Sequence, residues 1–209
     1  MSQYSSLLPL LLGIVFFKQI SSTLRQLSVL FFCTVVLEIL AVWFIKNTTD
    51  ENNLFLFHLH TLIETSILVL VYVKIFNTSF KKNLAKTLYI LFLIFSILSI
   101  IYWEPLDVFP SYQRYTEGII IILFCLLYFN QIFQELTIQR LERFAYFWLN
   151  SALLIYFSGT LFLFISYETI RTNTTENVQY YIIVHSSLNI LLNLAYSATI
   201  WFGRKSISS

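Results

Sequence analysis

Long apolar runs alternate with short polar breaks from one end of the chain to the other. Seven runs stand out, at about 4–20, 27–45, 54–76, 84–103, 111–133, 144–167 and 178–202, each near the 17–25 residues a helix needs to cross a bilayer. The first is the shortest in effect, because Pro9 sits early in it and Lys18-Gln19 cuts it off. It has neither a basic leader nor a small-x-small cleavage pattern, so it reads as a helix and not as a signal peptide. The breaks are Ser21–Gln26, Lys46–Asn53, Asn77–Asn83, Glu104–Pro110, Gln134–Arg143 and Ile170–Asn177. None has room for a soluble domain. The pattern predicts an all-α polytopic bundle of seven transmembrane helices, one domain over residues 1–209.

Composition agrees with the pattern. Of 209 residues, 57% are hydrophobic, 18% aromatic and 11% charged, and the mean hydropathy is +0.73. A soluble domain carries about 25% charged residues. The net charge of +2 comes with no long basic run, which argues against a nucleic-acid partner and leaves the lipid bilayer as the one partner the composition requires. Cys33 and Cys125 both lie in apolar runs and read as buried thiols, not as a disulfide framework.

Lys and Arg orient the chain. Lys18, Arg25, Lys74, Lys81, Lys82, Lys86, Arg140, Arg143, Arg204 and Lys205 flank the odd-numbered connections and the tail. The even connections hold Lys46, Arg114 and Arg171 among Asp50, Glu51, Glu104, Asp107, Glu168 and Glu176. Positive residues stay on the cytoplasmic side, so the expected topology has the N-terminus outside and the C-terminus inside, in a cytoplasmic (inner) membrane.

Ionisable groups inside the runs mark a site by default, because each is costly in hydrocarbon. The third run carries His58, His60 and Glu64. His60 and Glu64 are four apart and share a helix face, whereas His58 points elsewhere and reads as an interfacial side chain. At 1.5 Å per residue, Glu38 lies about 10 Å below the outer end of the second helix, His60 about 9 Å and Glu64 about 15 Å in on the third, Glu117 about 9 Å in on the fifth, and His185 about 10 Å in on the seventh. These five groups from four helices are expected to converge on one outward-opening pocket. Such a His/Glu set suits a divalent metal, Zn²⁺ or Fe²⁺, which would keep the carboxylates ionised. Without a metal, buried carboxylates take protons or bond to a histidine. Arg114 precedes Glu117 by three residues and reads as lying at the rim. The plain alternative is that all five are interhelical hydrogen-bond partners.

Two further sets follow helical spacing. His185, Asn189, Asn193 and Tyr196 form a polar stripe, either an asparagine-zipped contact or a relay that passes a change at the outer site inward. Ser151, Ser158 and Gly159 form a small-residue set suited to close helix packing.

The stretches Phe147-Trp-Leu-Asn-Ser-Ala-Leu-Leu-Ile-Tyr-Phe-Ser-Gly-Thr160, His60-Thr-Leu-Ile-Glu64 and His185-Ser-Ser-Leu-Asn-Ile-Leu-Leu-Asn193 together resemble a family of small bacterial seven-helix integral membrane proteins. The likeness covers most of the chain; it implies the fold and brings no activity. The topology is also similar to that of microbial rhodopsins, which need a Schiff-base lysine in the last helix. Val178–Phe202 contains no Lys, so retinal is not expected. Membrane hydrolases related to alkaline ceramidases place a His-x-x-x-His pair there, but here His185 is followed by Asn189.

Four functions fit these residues. The favoured one is a receptor-like or sensory membrane protein that answers a metal ion, proton or small ligand through a separate signalling protein. An alternative is a metal-dependent intramembrane hydrolase of a lipid or small substrate, with Glu64 or Glu117 as base and His60 and His185 as ligands. Others are a bis-His haem protein using those two histidines, or a structural or assembly factor.

Overall fold

In the computed structural model, residues 5–47, 52–135, 144–171 and 175–204 are described, with side chains for all but 164–171 and 175–182. Among them stand seven α-helices and no strand: α1 (Leu7–Val15), α2 (Ser22–Asn47), α3 (Leu54–Ile75), α4 (Ser79–Tyr102), α5 (Ser111–Glu135), α6 (Ala145–Arg171) and α7 (Thr175–Gly203). Six of them, α2 to α7, are long and apolar enough to cross a membrane. The chain is a multi-pass helical membrane protein.

One expectation needs correcting. The first run, expected to cover 4–20, holds a helix of only nine residues, α1. At 1.5 Å per residue this covers about 13 Å, short of a hydrocarbon core of about 30 Å. Beyond Val15 the backbone tightens, with Phe17 N–H bonding to the Ile14 carbonyl and Gln19 N–H to that of Phe16. Polar Lys18 and Gln19 follow directly, so the run ends in turns where a uniform apolar stretch would have continued as helix.

Each long helix is apolar both where it is buried and where it is exposed. On α4, Phe92 and Ala85 are buried while Ile90, Ile94 and Ile97 are exposed. Exposed aliphatic rows such as those on α2, α4 and α5 are what a lipid-facing surface requires. Their hydroxyls bond within the helix: Thr61 donates to the Phe57 carbonyl (2.9 Å), Thr160 to that of Tyr156 (2.9 Å), Thr199 to that of Ala195 (2.8 Å). Satisfying polar groups inside the segment is obligatory in hydrocarbon.

The chain divides into two compact units, Ser22–Ile120 and Met1–Ser21 with Ile121–Ser209. In the Ser22–Ile120 unit, α3 is the central helix. It meets α2 through Phe44 and Phe55, edge to face at 5.2 Å, and α4 through the hydroxyls of Ser66 and Tyr89 at 2.7 Å. Leu68, Val71 and Tyr72 on α3 are fully buried. The connection between α4 and α5 is pinned at several points. The Glu104 carboxylate accepts the Tyr112 backbone N–H (3.0 and 3.1 Å), and buried His58 Nε2 lies 2.9 Å from the Val108 carbonyl oxygen. Glu104 thus caps the positive end of α5.

In the other unit, α6 and α7 are the main pair. Trp148 near the start of α6 stacks on Phe202 near the end of α7 at 6.0 Å, so the two run antiparallel. Asn193 on α7 donates to Ser5 Oγ (2.8 Å), and Trp201 meets Phe16 edge on at 5.9 Å, which sets α1 alongside α7 in the same direction. Asn150 on α6 donates to the Cys125 carbonyl on α5 (2.9 Å).

Candidate functional site

The Ser22–Ile120 unit holds a polar cluster built by α2, α3 and α5. The i, i+4 spacing on α3 puts His60 and Glu64 on one face, with His60 Nδ1 3.4 Å from Glu64 Oε2. From α5, Arg114 Nη2 lies 3.5 Å from the same Nδ1. From α2, Thr34 Oγ1 lies 3.3 Å from His60 Nε2. One turn along α3 from His60, Thr65 reaches Glu117 of α5, with Oγ1 2.8 Å from Oε1. Glu117 is fully buried and Glu64 is 6% exposed. Glu117 feels the charges of both Glu64 and Arg114, which ties the two ends into one electrostatic unit. One oxygen of each acid, Glu64 Oε2 and Glu117 Oε2, is buried without a hydrogen bond among the described residues.

Two groups in this cluster are chemically ambivalent. The Thr65 hydroxyl has a single hydrogen. Yet its oxygen stands 2.8 Å from both the Thr61 carbonyl oxygen and Glu117 Oε1. When it donates to Glu117, the acid is held as a carboxylate. When it donates to Thr61, the contact with Glu117 is a hydrogen bond only if Glu117 carries a proton and donates it. His60 Nδ1 likewise faces a donor and an acceptor. Unprotonated, it accepts from Arg114, and the Nε2 hydrogen serves Thr34; protonated, it donates to Glu64.

Of the five residues expected to converge, His60, Glu64 and Glu117 meet here. Glu38 is half-buried on α2, one turn beyond Thr34 on the same face. His185 belongs to the other unit, where its ring lies 6.4 Å from that of Tyr156. Among the described residues, no three His, Cys, Asp or Glu side chains are arranged to hold a metal ion. Arg114 does not stay at the rim. Its stem carries the guanidinium to His60, a reach common for arginine near a helix end. Thr34 and Thr65 drew no notice in the sequence, because a lone threonine in an apolar run has no distinguishing pattern. His58, expected at the interface, is 1% exposed and latches the α4–α5 connection.

The stripe on α7 forms in part: Asn193 Nδ2 donates to Asn189 Oδ1 (2.9 Å), and Tyr196 is buried beside them on the same face. Of the small-residue set, Gly159 makes the close approach, since a β-carbon there would stand 2.8 Å from Leu188 Cδ1. Ser151 is half-buried and Ser158 exposed.

No family model, no curated protein and no solved structure matches this chain.

Proposed function

We propose that the protein is a proton-responsive, receptor-like membrane protein whose buried Glu117 takes up and releases a proton within the spanning helices. The observation that carries this reading is Thr65, whose one hydrogen faces two acceptors at equal distance, Glu117 among them. Charge balance supports it as well. Two buried acids stand against one guanidinium, so the cluster lacks one positive charge, which a proton on Glu117 supplies. The groups that face this site are His60 and Glu64 from α3, Arg114 and Glu117 from α5, and Thr34 with Glu38 one turn away from α2.

Protonation changes which bonds are available. A neutral Glu117 releases Thr65 to Thr61, and a protonated His60 turns from Arg114 to Glu64. The contacts that tie α2 and α5 to α3 change with it, and a separate protein is the reader of the altered packing. A divalent metal is disfavoured at the same place, because the Arg114 guanidinium already occupies the neighbourhood of His60 Nδ1. The orientation that accompanies this reading has the N-terminus outside and the C-terminus cytoplasmic, in the inner membrane, on the strength of the Lys/Arg distribution.

Hydrogen exchange on bilayer-reconstituted protein tests the reading, after correction for the intrinsic pH dependence of amide exchange. Protection in α2, α3 and α5 is expected to change with pH, over the range in which the chain stays folded, in the native chain. In Glu117→Gln, fixed as a mimic of the neutral acid, it is expected to stay constant. Equal pH dependence in both proteins overturns the proposal.

A further inference from the structure

We propose that protons reach Glu117 along a buried row of side chains that begins at Glu104, in the connection between α4 and α5, and follows the contact of those two helices. This rests on the reading of Glu117 given above and names the path that serves it. The row can be followed contact by contact. Ser99 of α4 donates to Glu104 Oε2 (3.4 Å). Ser96 lies one turn back along α4, on the same side of the helix. Gln113 of α5 donates from Nε2 to the Ser96 carbonyl oxygen (3.3 Å). Glu117 follows Gln113 by four residues and shares its face of α5. Thr65 closes the row at Glu117 Oε1 (2.8 Å). All six side chains belong to residues 5% exposed or less.

Close packing does not account for this row. A hydroxyl in a spanning helix ordinarily bonds to a carbonyl of the preceding turn, as those of Thr61, Thr160 and Thr199 do. Ser96 Oγ is instead buried with no hydrogen bond among the described residues, and so are Gln113 Oε1 and Glu117 Oε2. Because a carbonyl only accepts, its bond to Nε2 fixes the Gln113 amide and leaves Oε1 as a further acceptor. One hydroxyl and two acceptors in succession suit an internal water, which makes about three such bonds. The helical steps from Ser99 to Ser96 and from Gln113 to Glu117 are about 5–6 Å, the span of one bridging water. The charged and titratable neighbours at the inner end are Glu64 and Arg114, with His60 beside both; at the outer end His58 faces Glu104. A proton taken up by Glu104 passes to Ser99, whose own hydrogen moves on through a water to Ser96. Ser96 then gives its hydrogen to the second water, which gives one to Glu117 Oε2. Every hydroxyl and water gains one hydrogen and loses one, so the net change is a neutral Glu117 and a Glu104 carboxylate ready for the next proton. Gln113 carries no proton; it is a positioning residue that holds the water through Oε1.

The test times the arrival of the proton. Full-length protein in a bilayer is given a rapid drop in pH, and growth of the neutral-acid carbonyl band of Glu117 is followed by time-resolved infrared spectroscopy. Ser96→Ala is expected to slow that growth about a hundredfold, the low end of what a positioned proton-transfer group contributes, and to leave the equilibrium midpoint in place. Ser96→Thr, which returns the hydroxyl, is expected to restore the rate. Glu104→Gln is expected to slow the band as well, and Glu104→Asp to recover part of the loss. Ser66→Ala, which removes a hydroxyl bonded to Tyr89 outside the row, is expected to leave the rate unchanged. The unaltered protein is expected to respond more slowly in heavy water, a readout that depends on no variant folding. A native rate in both Ser96→Ala and Glu104→Gln overturns the path while leaving the proton on Glu117 intact. Equal rates in light and heavy water overturn it too, as does slowing by His60→Ala alone, since entry would then lie on the side of half-buried His60. If no neutral-acid band of Glu117 forms at all, the reading beneath the path is overturned and the path with it.

Discussion

Thr65 is the residue on which the polar cluster turns, since it bonds Glu117 across two helices and Thr61 within its own. Replacing it with valine keeps the shape and removes the hydroxyl. Glu117 Oε1 is then buried with no donor, a loss of about 1–3 kcal/mol. Thr65→Val is therefore expected to lower stability by that amount in a detergent unfolding titration, and Thr65→Ser to recover most of it. Combining Thr65→Val with Glu117→Leu removes both partners, so the double variant should be more stable than the sum of its parts. The histidine and glutamate of this cluster were legible in the sequence because a four-residue spacing in an apolar run is a pattern. Arg114 was visible but misplaced. Counting residues locates its Cα near the start of α5, while the guanidinium acts at His60, and only the structure gives the reach of a flexible stem.

At the scale of elements, two contacts decide how segments meet. Gly159 on α6 faces Leu188 on α7, whose movable methyls would stand 2.8 and 3.2 Å from a β-carbon added there. Gly159→Ala should be close to neutral, because the small shift of Leu188 offsets the gain in helix propensity. Gly159→Ile should cost about 1–3 kcal/mol through overpacking. Leu188→Ala should restore part of that loss, and thermal melts of the three variants measure it. The second contact is the capped start of α5. Burial pushes the Glu104 carboxyl above the ordinary glutamate range, while the backbone N–H groups of Tyr112 and Ser111, the Ser99 hydroxyl and the nearby His58 pull it down. The proton is therefore bound more tightly in the folded chain than in the unfolded one. That contribution is complete below the unfolded value and is lost as the pH rises through the folded value. Glu104→Gln is expected to flatten the stability–pH profile over this interval. An unchanged profile assigns the dependence to other groups. The ends of most helices followed from the sequence, because Asn52-Asn53, Asn77-Thr78 and Pro110 interrupt the apolar runs. The shortness of α1 followed only in part, since Lys18-Gln19 marks a cut but the backbone already turns at Phe16-Phe17, where the run is still apolar.

For the whole molecule, six helices among the described residues are long and apolar enough to cross a membrane, and polar residues are few and clustered within them. Much of this was legible in advance, because water-hating segments of fixed length leave a coarse and unmistakable pattern. Which polar side chains meet was less so. Helical depth gives height along the bilayer, and the angular position of each helix in a bundle is set by packing that no single run encodes. That is why Thr34, a residue with no distinguishing pattern in the sequence, is seen meeting His60. Orientation rests on the basic residues and has its own check: a reporter fused after Ser209 should be active only on the cytoplasmic side, and activity on the other face contradicts the assignment.

The central claim is that buried Glu117 exchanges a proton. Infrared difference spectroscopy of bilayer-reconstituted protein, titrated over the pH range in which the chain stays folded, reads this directly through the carbonyl stretch of a neutral carboxylic acid. The account predicts a band that grows as the pH falls, disappears in Glu117→Gln, shifts in Thr65→Val as its hydrogen bond is lost, and changes midpoint in His60→Ala. A spectrum with no neutral-acid band assignable to Glu117 at any pH in this range, or a band unaffected by Glu117→Gln, contradicts it.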